Sequence, residues 1–178
     1  MKDSRTQRAA SLVAEWVRET MGWGPEKATV HMVPHLSTSR FEFAVIAQRG
    51  LRSSGELYAV TDGERVLPGR PETLGEVLAA EGLPADPGAL PPAQAAELAL
   101  RLLAPGRGHV VTGADDPALG GVDGVAAAVA EPQVTREGDA ARIEFLSARG
   151  PHGPVERWSV GVHADGSIDS RVSDVTPR

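Results

Sequence analysis

Two stretches of this chain, roughly 100 residues apart, carry similar residues in the same order. The matching pairs are Arg-Phe-Glu-Phe at 40–43 with Arg-Ile-Glu-Phe at 142–145, Glu-Leu-Tyr-Ala-Val at 56–60 with Glu-Arg-Trp-Ser-Val at 156–160, and Asp-Gly at 62–63 with Asp-Gly at 165–166. Order, spacing and turn residues agree together, although strict identities are few. This similarity predicts an internal duplication of one supersecondary unit.

Helical spacing of apolar residues predicts three helices. Ala9, Leu12, Val13, Trp16 and Val17 repeat with the i, i+3, i+4 spacing of one helical face, which places helix 1 at about 6–22. Prolines mark the other two starts, since proline suits the first helical turn. The predicted helices begin at Pro71 and at 92, and the last one ends near 104.

Alternating or β-branched runs predict antiparallel strands after the first and the third helix. These runs lie at 28–34, 41–48, 56–61 and 65–67, and then at 109–112, 125–135, 141–148, 155–163 and 167–174. The two Asp-Gly pairs are typical of type I′ hairpins. Residues 113–124 are too rich in Gly, Asp and Pro for regular structure, and we expect a long loop there.

The fold class that follows is α+β, with two similar units, each a helix followed by an antiparallel sheet in a tandem α-β-β-β-β pattern. We expect the helices on one face of the sheets, because each amphipathic element must bury its apolar side. The proline-rich stretch 84–92 is the best linker, so the predicted units span 1–84 and 85–178. The alternative is that both units pack as one globular domain.

Composition excludes several classes of function. The 178 residues include no cysteine, which removes disulfides, thiolate metal sites and cysteine nucleophiles. The net charge of −6 argues against general nucleic-acid binding. No stretch is long and apolar enough for a membrane span, and the N-terminal segment lacks the apolar core of a signal peptide. We therefore expect a cytoplasmic protein without a membrane association.

Metal and cofactor sites are not indicated. His31 and His35 lie on either side of Pro34, and in an extended strand residues four apart are roughly 13 Å from each other, too far for one ion. Asp115, Asp116 and Asp123 of the long loop match no regular metal site and are ordinary turn residues. No phosphate-binding loop or nucleophile elbow occurs, so we expect no cofactor and no catalytic residue.

Five residues are the candidates for binding: Trp23, His31, His35, Arg40 and Glu42. Trp23 follows helix 1 between two glycines, where we expect an exposed aromatic side chain that anchors an interface. Glu42 and its counterpart Glu144 alternate with apolar residues, so we expect both carboxylates to face solvent beside Arg40 and Arg142.

The leading functional hypothesis is a non-catalytic protein that binds another protein, such as an inhibitor or immunity-type partner of a basic protein. An acidic chain attracts a basic partner by electrostatic steering. The first alternative is a small-molecule-binding protein or enzyme with a pocket between sheet and helix. The second alternative is a structural or assembly protein. The sequence makes an enzyme the less favoured class.

Overall fold

The computed structural model of the chain describes residues 2–50, 57–119, 128–150 and 153–175. These residues form three α-helices, nine strands and two short 3-10 turns. The helices are α1 (Lys2–Met21), α2 (Pro71–Ala80) and α3 (Pro92–Leu103). The strands are β1 (Ala28–Met32), β2 (Glu42–Gln48), β3 (Leu57–Thr61), β4 (Val66–Pro68), β5 (His109–Val111), β6 (Gln133–Glu137), β7 (Ala140–Ala148), β8 (Val155–Val162) and β9 (Ile168–Asp174). The 3-10 turns are Pro34–Leu36 and Pro117–Leu119.

The strands form two antiparallel sheets. Sheet 1 contains β1 to β4 in chain order. Sheet 2 is built around β7, which pairs with β8 along one edge. Its other edge is shared end to end by β6 and β5. Strand β9 pairs with β8 and forms the far edge of sheet 2.

The largest apolar cluster joins the two sheets through α2 and α3. Phe43 comes from sheet 1 and Phe41 directly precedes β2. The leucines of α2 and α3 lie in the same cluster, and Ile143 and Trp158 come from sheet 2. The Trp158 ring stacks on Phe145, and its indole N–H donates to the buried Ser147 hydroxyl at 2.9 Å. The α2–α3 pair therefore lies between the inner faces of the two sheets.

A second cluster covers the other face of sheet 1. Val13 and Val17 of α1 pack against Ala44 and Ile46 of β2. Because successive strand residues point to opposite faces, Phe43 and Ala44 reach different clusters. The layers follow the order α1, sheet 1, the α2–α3 pair and sheet 2.

The α+β class and the antiparallel sheets are confirmed, but the expected placement of helices on one face is wrong. Sheet 1 is covered on both faces, because β2 has apolar residues on both sides. The predicted strand at 125–135 is only partly correct over its described residues, because 128–132 are not in a strand and β6 spans Gln133–Glu137. Helix α1 begins at Lys2, earlier than predicted.

Both Asp-Gly pairs lie in hairpin connections, as predicted, but the expected type I′ turn is wrong. That turn needs a positive φ at both central residues. Among the described residues only glycines have a positive φ, including Gly63 at 97° and Gly166 at 80°. The Asp62 carboxylate instead accepts the backbone N–H groups of Glu64 and Arg65, at 3.2 and 2.9 Å.

The tandem repeat stays a prediction. Both halves have a helix, a strand, a 3-10 turn and further strands in the same order, with β6 as an additional strand in the second half. In the predicted alignment Phe43 corresponds to Phe145. However, α3 shares a cluster with Phe145, whereas α1 packs on the opposite face of β2, beside Ala44. The two helices thus cover non-equivalent faces of their sheets.

Candidate functional site

The five predicted binding residues do not form one site. Trp23 is half-buried and packs against the cluster between α1 and sheet 1, beside a groove of about 620 Å³. His31 is exposed on β1. His35 is exposed in the first 3-10 turn, where its Nε2 lies 3.1 Å from Glu97 Oε1 of α3. Arg40 and Glu42 are only two residues apart in sequence, but Arg40 is exposed and Glu42 is buried.

Glu42 is buried, with 6% of its surface exposed, so the expectation that it faces solvent is wrong. The face of β2 opposite Phe41 and Phe43 is covered by α1, and Glu42 points to that side. Its Oε1 pairs with Arg5 Nε of α1 at 3.3 Å, and its Oε2 accepts the Ser37 hydroxyl at 2.6 Å. Glu144 of sheet 2 is exposed as predicted, since no helix of the described chain lies over that residue.

The segment before β2 is held by hydrogen bonds from all three helices. Thr38 and Ser39 donate their hydroxyl hydrogens to the Glu81 carboxylate at the end of α2, at 2.6 and 2.9 Å. The backbone N–H of Arg40 also donates to Glu81 Oε1, at 3.2 Å. Gln94 of α3 donates to the carbonyl oxygens of residues 36 and 37. Arg40 therefore joins this network through its backbone N–H, and its exposed side chain donates from Nη1 to the Ala80 carbonyl of α2 at 3.5 Å.

Arg5 connects this segment to α1. Its Nη1 donates to the carbonyl oxygens of Thr38 and Ser39, at 3.4 and 3.0 Å. Its Nε pairs with Glu42. Its Nη2 is buried and has no hydrogen-bond partner among the described residues. The guanidinium is thus fixed in place by three contacts and keeps one nitrogen unused.

A cavity of about 430 Å³, which we call the α1 cavity, is lined in part by Arg5. Its lining residues come from the first turns of α1, from β2 and from the end of β3: Ser4, Arg5, Arg8, Ala9, Glu42, Thr61 and Gly63. Thr61 is directly opposite Glu42 in the β2–β3 pairing. Its side chain is 1% exposed, and its hydroxyl has no hydrogen-bond partner among the described residues.

The cavity carries a net positive charge. Arg5 and Arg8 line it together with one carboxylate, Glu42, and both carboxylate oxygens are already engaged by Arg5 and Ser37. Arg8 is exposed and forms no ion pair with any described residue. A buried donor without a partner is unfavourable by about 1–3 kcal/mol, so the cavity favours a molecule with oxygen acceptors.

Sequence reasoning found Glu42 and missed Arg5, Arg8 and Thr61. The two arginines are three residues apart on α1, so they share a face beside Ala9 of the apolar stripe. That spacing is the sequence pattern from which the two arginines could have been predicted to share a site. Thr61 had none, because its position opposite Glu42 depends on the register between β2 and β3.

One acidic residue of the long loop, Asp116, has structural contacts. Asp116 lies 3.0 Å from His109 Nε2 and accepts the backbone N–H of Ala118 at 2.9 Å. Asp123 lies outside the described residues. Within the described part of the chain, no three His, Cys, Asp or Glu side chains are grouped so that they could hold a metal ion.

No family model matches this chain, and no curated protein or solved structure has significant similarity to it. The fold and the cavity therefore define the class only as an α+β protein with a small cavity between a helix and a sheet, whose accessible wall is mostly apolar. Among the described residues, no helix has the length and apolar character to cross a membrane.

Proposed function

We propose that this protein binds a small organic anion in the α1 cavity. The observation that carries the proposal is that Arg5 and Thr61 line the same cavity, and each has one buried polar atom, Nη2 and Oγ1, without a hydrogen-bond partner among the described residues. Most buried polar groups in proteins are paired, so two exceptions at one cavity indicate a missing binding partner.

The donor set defines the chemistry of that partner. A guanidinium only donates hydrogen bonds, and a threonine hydroxyl donates one as well. A carboxylate oxygen accepts from both kinds of donor, and charge-assisted hydrogen bonds to arginine are stronger than those between neutral groups. Two arginines and one carboxylate leave one net positive charge in the lining, which matches a monoanion better than a dianion.

The size of the cavity is consistent with a small ligand. Its volume of about 430 Å³ lies within the range of roughly 300–1,000 Å³ found for small-molecule pockets. Ala9 and Gly63 contribute uncharged surface to the wall of the cavity. A carboxylate attached to a compact apolar group satisfies both parts of the lining.

We infer binding rather than catalysis from the state of Glu42. A general base needs an oxygen that can reach a substrate proton. Both oxygens of Glu42 are held by Arg5 and Ser37, so the carboxylate serves to orient Arg5.

The hypothesis of a basic protein partner stays a prediction and has less support. Many carboxylates on the surface are paired with basic side chains of the same chain, which weakens the field available for steering. These pairs include Glu76 with Arg65, Glu137 with Arg142, Glu97 with Arg101, and Glu156 with Arg107. A stoichiometric, salt-sensitive complex with one basic protein from native extract is the result that would favour it.

The test of anion binding uses sodium benzoate, sodium hexanoate and inorganic phosphate as probes, followed by amide NMR titration. We expect at least one carboxylate to bind saturably and to shift amides of α1 and of residues 61–63. Thr61→Val should weaken that binding about tenfold, the effect of losing one good hydrogen bond. Arg8→Gln should weaken it two- to fivefold, as for an exposed ion pair.

Thr73→Val is the matched control. Thr73 is also buried, but its hydroxyl already donates to the Pro68 carbonyl at 2.6 Å and lies outside the cavity. Its loss should leave the affinity unchanged. If no probe shifts the α1 amides, or if both valine variants weaken binding equally, the proposal fails.

A further inference from the structure

The outer edge of sheet 2 is the exposed strand β9. Residues 170–174 are all exposed, and Val172, at 43%, is an exposed large apolar side chain in a strand. No strand of the described chain pairs with this edge. An unpaired edge of this length presents a row of free backbone groups to another strand.

The hydrogen bonds at the two ends of β9 define which backbone groups are free. At one end His163 N donates to Ser167 O, and at the other Val175 N donates to Val155 O. Residues 167 and 175 therefore face β8, and by alternation so do 169, 171 and 173. The N–H and C=O groups of Ile168, Ser170 and Val172 point away from the sheet.

We propose that two copies of this chain pair through β9, antiparallel, about a two-fold axis at Ser170. In that register Ser170 is opposite Ser170 of the second copy, and Ile168 is opposite Val172. Asp169 is opposite Arg171, and the symmetry repeats each pair. The two five-stranded sheets then form one continuous sheet, and opposite-charge and apolar cross-strand pairs both stabilise it.

Neighbouring registers are less favourable for electrostatic reasons. A shift toward the C-terminus that keeps the backbone hydrogen bonds places Arg171 opposite Arg171 of the second copy. The opposite shift places Asp169 opposite Asp169. Like charges directly opposite each other destabilise a sheet. A shift by a single residue pairs an outward-facing backbone group with an inward-facing one and breaks the hydrogen bonds.

The charged residues of β9 are suited to this pairing. Arg171 is exposed and forms no ion pair with any described residue. Asp169 already lies 2.7 Å from His163 Nε2 and 3.4 Å from Arg142 Nη1 on the same face, so its carboxylate is fixed in position. Arg171 of the second copy adds a further cation to this carboxylate. This inference does not depend on the anion proposal.

Site-specific cross-linking tests the register, because the natural chain contains no cysteine. Opposite residues in a hydrogen-bonded antiparallel pair have Cα atoms about 5.5 Å apart. A short bismaleimide should therefore join two copies of the Ser170→Cys variant into a covalent dimer. In the matched control Ser173→Cys, the two cysteines lie roughly 20 Å apart along the strands, and we expect little dimer.

Sedimentation velocity over a range of protein concentrations tests the pairing without any cross-linker. The natural chain should show a reversible dimer. Arg171→Asp places two acidic residues opposite each other at both ends of the contact and should weaken dimerisation at least tenfold. Ser170→Pro should also prevent the dimer, because it removes an N–H that faces the second copy. The Ser170 N–H does not bond to β8, so the monomer keeps its own sheet hydrogen bonds.

A chain that is monomeric at all concentrations overturns the proposal. So does a dimer that Arg171→Asp leaves intact, or one in which Ser173→Cys cross-links as efficiently as Ser170→Cys. Circular dichroism of each variant verifies that the fold is retained.

Discussion

Two buried threonines, Thr61 and Thr73, differ in their hydrogen bonds. The Thr73 hydroxyl donates to Pro68 O at 2.6 Å, whereas the Thr61 hydroxyl has no partner among the described residues. Valine has the same shape as threonine without the hydroxyl. We expect Thr61→Val to raise the free energy of unfolding of the ligand-free protein by about 1 kcal/mol, and Thr73→Val to lower it by about 1–2 kcal/mol.

Urea denaturation of both variants beside the natural chain measures the difference, provided the slope with urea concentration is unchanged. The opposite signs are the informative result. If Thr61→Val destabilises the protein as much as Thr73→Val, the Thr61 hydroxyl forms a stabilising hydrogen bond in the free protein.

The hydrogen bonds of Asp62 should make the stability of the hairpin between β3 and β4 depend on pH. The N–H of Arg65, and then its side chain, donate to this carboxylate and lower the Asp62 pKa below its ordinary 3.8; partial burial opposes them. A carboxyl whose pKa is lowered by folding contributes its full stabilisation at pH values above its pKa in the unfolded chain. That stabilisation is lost as the pH falls through the pKa of the folded state. We expect Asp62→Asn to be less stable than the natural chain at pH 6.

That difference should shrink as the pH falls below about 4, where the natural carboxylate becomes protonated. Thermal unfolding of both proteins between pH 3 and 7 measures it. A difference that is constant over this whole range would contradict the assignment of the hydrogen bonds to the ionised form.

At the scale of secondary-structure elements, helix α2 packs closely against the hairpin between β8 and β9 at Gly75. A Cβ atom built on Gly75 overlaps the carbonyl oxygen of Gly166 and approaches Ile168. In an isolated helix, alanine in place of glycine stabilises by about 1 kcal/mol. We expect the reverse here, a loss of about 1–3 kcal/mol for Gly75→Ala, because α2 must move away from the hairpin.

Calorimetry or urea denaturation gives the sign of the Gly75→Ala effect. A gain in stability would mean that α2 and the hairpin are farther apart than described. Ala79→Gly in the same helix is the control for propensity alone, and we expect it to lower the free energy of unfolding by up to about 1 kcal/mol.

Local patterns predicted the elements well where one short-range rule dominates. Prolines marked the starts of α2 and α3, and Asp-Gly marked both hairpin connections. Glu42 was misplaced because alternation alone assumes one solvent-facing side, and a sheet covered on both faces violates that assumption. Thr61 could not be assigned to the site because strand register is a tertiary property.

At the scale of the whole molecule, residues from both predicted units share one core. The largest cluster includes Leu74 and Leu78 of α2, Leu98 and Leu102 of α3, and residues of both sheets. The sequence predicted each apolar stripe but not which stripes meet, since long-range packing leaves no local pattern. The boundary near residue 84 therefore separates two segments of chain that meet in one cluster.

This shared core predicts a single cooperative unfolding unit. Leu78 is fully buried in the cluster, at 0% exposure, and Leu78→Ala should lower the free energy of unfolding by about 2–5 kcal/mol. In one cooperative unit the amides of β2 and of β8 lose the same protection in native-state hydrogen exchange, because both exchange through the same global opening. If only β2 loses protection while β8 keeps that of the natural chain, the segments 1–84 and 85–178 unfold separately and the cluster couples them weakly.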